Sequence, residues 1–104
     1  MGMTPEGRVK AEIKKILNED APQVWYYMPV QTGYGRAGIP DFIICAWGRF
    51  LAVEAKAGKG KVTAHQQREL ARIVAAHGGA LVINETNLGV LRETLRTIKQ
   101  RAEV

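Results

Sequence analysis

Asp41, Glu54 and Lys56 are the residues of this chain whose types and spacing could do chemistry. Asp41 opens an apolar run, Asp41-Phe42-Ile43-Ile44, and Glu54 and Lys56 close another, Leu51-Ala52-Val53-Glu54-Ala55-Lys56. A short linker holding Gly48 and Arg49 separates the runs, so they read as adjacent antiparallel strands with the turn at one end. Asp41 then meets Glu54 and Lys56 at the other end. Glu54 and Lys56 are two residues apart and project from the same strand face. Two carboxylates and a lysine on one face are the groups a divalent-metal phosphodiesterase requires. A divalent ion between carboxylates neutralises the phosphodiester anion and lowers the pKa of water. Mg2+ keeps several waters, so two or three acidic side chains suffice; Asp41 and Glu54 can supply two, and the Ala55 carbonyl could supply a third ligand. Lys56 would orient the attacking water and stabilise developing charge.

The elements that must position these groups follow from the pattern around them. Thr4-Pro5-Glu6 starts a helix: Thr4 caps, Pro5 suits the first helical position, and Glu6 faces the positive end of the dipole. Val9, Ile13, Ile16 and Leu17 follow at helical spacing, and the helix should end near 18–20, before Pro22. If it packs across the strand ends, Glu6 could complete a metal shell; otherwise it is a dipole acid. Arg8, Lys10, Lys14 and Lys15 read as a solvated face, or as phosphate contacts. Residues 24–30 read as a strand in which Trp25, Tyr26 and Tyr27 serve core and sheet packing rather than base stacking. Residues 31–37 form a glycine-bearing loop with Gly33, Gly35 and Arg36 that runs into Gly38-Ile39-Pro40-Asp41. Arg36 could reach a phosphate there, and the glycines allow backbone to approach a ligand; Tyr34 is read as a surface turn or a ligand contact. No Walker-type Lys-Ser/Thr follows, which excludes a P-loop and a nucleotide cofactor.

The two central strands are expected over 42–46 and 50–53, then a basic turn over 57–62 with Lys59 and Lys61 as DNA contacts. Thr63 with Gln66 is a capping box that opens a second helix. Gln66 is read either as that capping residue or as a residue of the site. Leu70, Ile73, Val74 and His77 line one helix face, and Gly78-Gly79 stops it. Residues 80–83 form a buried strand, parallel to an earlier one because a helix precedes it. Asn87 caps a last helix with Leu88, Leu91, Leu95 and Ile98 inward and Arg92, Arg96, Lys99 and Arg101 outward. The order is α-β-β-β-α-β-α, an α/β fold.

Composition sets the class. The chain has 104 residues, 46% hydrophobic, and is read as one domain over 1–104. No apolar stretch approaches the roughly 20 residues of a membrane span, and the charged N-terminal helix is unlike a secretion signal. The formal net charge of +5 makes nucleic acid the default partner. Cys45 is the sole cysteine, so no internal disulfide forms; within its apolar run it is read as a buried inert thiol in a reducing cytosol. His65 and His77 lack metal-ligand spacing.

Gly38-x-Pro40-Asp41, Glu54-Ala55-Lys56, Thr63-x-x-Gln66 and Gly79-x-x-Val82 together resemble the PD-(D/E)xK nuclease superfamily, and more closely the VRR-NUC domain. The resemblance runs from Glu6 to about Ile83 and omits the last helix. It implies a restriction-endonuclease-like three-layer fold, a central mixed four-stranded sheet flanked by helices. It implies DNA phosphodiester cleavage with Mg2+ or Mn2+. Asp41, Glu54, the Ala55 carbonyl and Glu6 would be metal ligands, Lys56 the catalytic lysine and Gln66 the helix glutamine beside the site. Ala55 stands where the family commonly has valine. Stand-alone members of this resemblance imply a homodimer acting on branched DNA such as four-way junctions, in a bacterial or phage-infected host cytosol. The alternatives are a DNA-binding module of the same fold without cleavage, and a nuclease acting on flaps or with sequence preference.

Overall fold

The structure, a computed structural model, describes residues 2–31 and 35–103. Gly33 and Tyr34 of the glycine-bearing loop lie outside the described residues. The element order is α1 (Pro5–Asn18), β1 (Val24–Tyr27), β2 (Phe42–Ala46), β3 (Arg49–Ala55), α2 (Ala64–Ala75), β4 (Gly79–Ile83) and α3 (Leu88–Ala102). One four-stranded sheet runs β1-β2-β3-β4. β1 with β2 and β2 with β3 are antiparallel; β4 lies parallel to β3 after α2. This is the mixed sheet flanked by helices that the pattern predicts.

Local chemistry explains each boundary near the site. Thr4 Oγ1 accepts from the Gly7 N–H at 3.0 Å and Pro5 follows it, so α1 starts where its free N–H groups are first satisfied. Trp47 and Gly48, both at positive φ (46° and 82°), make the two-residue turn between β2 and β3. That turn twists in the sense of the strands and fixes their register: Ala46 opposite Arg49, Phe42 opposite Val53. One step further, Asp41 and Glu54 come opposite each other at the open end.

α1 and α3 cover one face of the sheet. Val9, Ile13, Leu17, Phe42, Ile44, Leu51, Val53, Ala55, Ile83 and Leu91 form the core there. Glu54 lies between Val53 and Ala55 and so points to the opposite face, where α2 packs against β4. The rest of that second face is open, which corrects several expectations. Cys45 is exposed rather than buried. It sits in a cross-strand row with Trp25 and Phe50, exposed by 60% and 44%. Tyr27 is exposed as well, and of the three aromatics only Tyr26 packs on the core, tilted against Phe42 at 6.0 Å. β1 stops at Tyr27, not at residue 30, because its pairing with β2 ends at Ile43.

Three helix and strand expectations also change. β4 is an edge strand, so only Ile83 of it is buried and Val82 is exposed. α2 buries Glu69 alone; Val74 is exposed, and His77 lies beyond the helix at φ 69°. Asn87 precedes α3 but its side chain does not cap it: Oδ1 accepts from Asn84 N and Nδ2 donates to the Val82 carbonyl. Among the described residues no helix is long and apolar enough to cross a membrane.

Candidate active site

Asp41 is placed by the backbone before it. Gly38 adopts φ 83°, and a Cβ there would lie 2.8 Å from Gln66 N and closer still to the His65 carbonyl. The close approach for which glycine is needed is therefore to the first turn of α2. Pro40 is fully buried beside it. Asp41 Oδ2 then accepts from the Ala55 N–H at 2.9 Å, tying the carboxylate across to the last residue of β3.

Glu54 is 3% exposed. Its Oε2 accepts from Gln66 Nε2 at 3.1 Å and lies 3.6 Å from Lys56 Nζ. Gln66 serves both roles open to it. Its Oε1 accepts from Thr63 N at 2.9 Å while its own N–H donates to Thr63 Oγ1, closing the capping box. With Oε1 committed to the cap, the amide's NH2 has to face Glu54. A glutamate would complete the box equally well and present a like charge instead. Lys56 follows the strand end, pinned by its N–H to the Ile83 carbonyl at 2.9 Å, and its side chain is 13% exposed.

As a carboxylate, Glu54 leaves Oε1 buried without a donor among the described residues. Burial, then the charge of Asp41 and a hydrogen bond to it, push the Glu54 pKa up to about 8, with Lys56 pulling the other way and Glu6 adding slightly. Asp41 and Glu54 lie at the same end and on the same side of the sheet, as the strand register requires. Lys10 joins them from α1, its Nζ 3.4 Å from Glu6 Oε2 and 3.5 Å from Asp41 Oδ1. Burial works against the Lys10 ammonium, but Asp41 and Glu6 more than reverse this and leave its pKa above the ordinary value. The cluster holds three acids (Glu6, Asp41, Glu54) and two lysines (Lys10, Lys56), one positive charge short of balance. A proton or a cation supplies it.

Among the described residues no three His, Cys, Asp or Glu side chains gather to hold an ion by themselves. The site brings together Asp41 and Glu54, with Glu6 joined only through Lys10. A buried and a half-buried carboxylate, with one Glu54 oxygen unpartnered among the described residues, are hard oxygen ligands that fit Mg2+ or Mn2+, ions that retain much of their water.

No family model matches the chain, and no curated protein does. A solved structure described as a VRR_NUC domain superposes on it with a TM-score of 0.65 and 22% sequence identity, over 94% of this chain and 97% of that one. The chain has the fold of a VRR_NUC domain. Within this VRR_NUC fold the outer candidates lie around the rim. Lys59 and Lys61 are exposed on the turn after β3, which is held by Gly58 N donating to Glu85 Oε1 at 2.6 Å. Arg36 is largely exposed, and its Nη2 donates to Glu69 Oε1 at 2.7 Å.

Two residues escaped sequence reasoning. Lys10 read as part of a solvated face; its i,i+4 spacing from Glu6 and its place beside buried Val9 were the available signal. Glu69 lies one turn beyond Gln66 on the same helix face, which marks it as inward.

Proposed function

We propose that this chain is a metal-dependent DNA endonuclease of the VRR-NUC type, a single nuclease domain acting on branched DNA such as four-way junctions. The observation that carries the reading is the convergence of Asp41, Glu54, Lys56 and Gln66, with Glu54 Oε1 buried and lacking a partner. Asp41, Glu54 and the Ala55 carbonyl would hold Mg2+ or Mn2+. A divalent ion there supplies charge neutralisation at the scissile phosphate and acidifies water. The chain's own groups do the rest. Ala55 N fixes the Asp41 carboxylate, and Gln66 fixes the Glu54 carboxylate. Lys56 donates to the attacking water and to charge developing on the phosphate. Arg36, Lys59 and Lys61 contact the DNA backbone, whose anionic phosphates suit the net charge of +5.

A two-fold homodimer would present two such sites to a symmetric junction. Light scattering on a sized sample tests it, and a strict monomer at micromolar concentration removes it. For the activity itself, wild type and Lys56→Ala are incubated with junction, flap and duplex substrates in Mg2+ or Mn2+. Wild type is expected to cut the junction and Lys56→Ala to be slower by about 10²–10³-fold. Absence of cutting across these metals and substrates, with binding retained, would leave a DNA-binding module.

A further inference from the structure

From α1 to α2 the site runs Glu6, Lys10, Asp41 and then Glu54, which lies against Lys56 and Gln66. The two ends of this series are not equivalent. On the Glu54 side a buried oxygen lacks a partner. On the Glu6 side the gap between two carboxylates is already filled by the Lys10 ammonium, 3.4 Å from one and 3.5 Å from the other. Hydrolytic sites that use two divalent ions hold them about 3.5–4 Å apart, bridged by shared carboxylates. Asp41 is the acid that would have to bridge here, and its Oδ1 faces Lys10 while its Oδ2 is bound to Ala55 N.

We propose that Lys10 is a built-in cation that occupies the second-ion position and restricts this chain to one divalent ion, on the Asp41 and Glu54 side. The inference rests on the metal-dependent reading. A dication bridging Glu6 and Asp41 would need both carboxylates within about 2.0–2.6 Å, which is the space the ammonium fills, and the two like charges would repel. Lys10 is half-buried and is not among the core residues, so its replacement leaves the fold's apolar contacts in place. Glu6 then has a defined purpose: it holds Lys10 against Asp41.

The test counts ions rather than turnover. Mn2+ is titrated into wild type, Lys10→Met, Lys10→Arg and the double variant Glu6→Gln/Lys10→Met, and the free aqueous Mn2+ signal is read by electron paramagnetic resonance. Wild type and Lys10→Arg are expected to bind one ion per chain. Lys10→Met is expected to bind two, with the first held at least tenfold more tightly. The double variant is expected to return to one, because the second ion needs the Glu6 carboxylate. Circular dichroism melts confirm that each variant is folded. Two ions in wild type, or one in a folded Lys10→Met, overturns the inference while leaving the metal-dependent reading intact. No binding by wild type overturns both.

Discussion

The chain buries two glutamates, Glu54 at 3% exposure and Glu69 at 4%, and treats them in opposite ways. Both oxygens of Glu69 are paired, Oε1 with Arg36 at 2.7 Å and Oε2 with Arg72 at 3.5 Å. Guanidinium groups stay charged at any ordinary pH, so Glu69 is neutralised permanently by its own chain. Glu54 receives an amide and one lysine on Oε2 and, among the described residues, no donor on Oε1. One acid is a structural tie; the other is kept short of positive charge, which is how a ligand for an external cation must be kept. Burial alone does not distinguish them, and the partner set does.

The largest separation should appear in cleavage. Glu54→Gln is expected to lower junction cutting by at least about 10²-fold, the scale for losing one essential electrostatic group, while Glu69→Gln stays near wild type. Equal losses in the two variants, measured as single-turnover rates, would break the distinction. Stability should move the other way. Glu69→Gln is expected to lose about 1–2 kcal/mol, since it weakens two charge-assisted contacts from arginines that are themselves mostly exposed. Glu54→Gln is expected to lose nothing in metal-free buffer, because the neutral amide replaces a group whose charged form burial and Asp41 already disfavour.

The pH dependence sharpens the same contrast. Glu54 has its folded pKa raised from 4.5 to about 8, chiefly by burial and then by Asp41. Between those values the folded state holds a proton that the unfolded state has released. Stability therefore falls as pH rises through that window, by up to about 1.4 kcal/mol per pH unit for one proton. In chelator, urea midpoints for wild type should drop from pH 5.5 to pH 8. Glu54→Gln should flatten that drop and Glu69→Gln should retain it. A wild-type midpoint that rises across the window would contradict the assignment.

A smaller effect separates the two jobs of Gln66. Gln66→Glu keeps an acceptor for Thr63 N and so keeps the capping box, but it cannot donate to Glu54. Gln66→Ala loses both. Each is expected to reduce cleavage or Mn2+ affinity by about 10–100-fold, the range for a group that orients a metal ligand. At pH 5.5, where Glu54 holds its proton, only Gln66→Ala should also lower the melting temperature. Matching melting temperatures for the two would mean that the cap adds nothing to α2.

How much of this was legible in the sequence depends on how local the cause is. The β2–β3 hairpin, the α1 start and the capping box each rest on neighbours within a few residues, and all were readable. So was the meeting of Asp41 with Glu54, because one turn and a period of two determine it. Lys10 was not, since its partner Asp41 belongs to a strand and the helix pattern of α1 carries no information about what crosses it. The exposure of Cys45, Trp25 and Phe50 was hidden for a related reason. Alternation assigns residues to two faces but does not say which face a helix covers, and α2 covers only the β4 side of the second one. The close approach expected of the loop glycines was not assigned to Gly38, which meets the backbone of α2.

The smallest predicted effect lies at Arg36, where the two halves of the comparison meet. Its guanidinium is 62% exposed and yet holds Glu69. As a tie it should matter little: Arg72 remains on the other oxygen, and an exposed arginine contact contributes no more than about 1 kcal/mol. As a phosphate contact it should be visible in salt dependence. Each phosphate neutralised steepens the fall of log affinity with log salt, so Arg36→Ala is expected to reduce that slope by about 1 while weakening binding to all sequences alike. Glu69→Gln supplies the control. It weakens the hold on Arg36 without removing its charge, so the slope should stay at its wild-type value or steepen. If Arg36→Ala leaves the slope unchanged and loses as much stability as Glu69→Gln, then Arg36 belongs wholly to the structural acid, and the contact to DNA passes to Lys59 and Lys61.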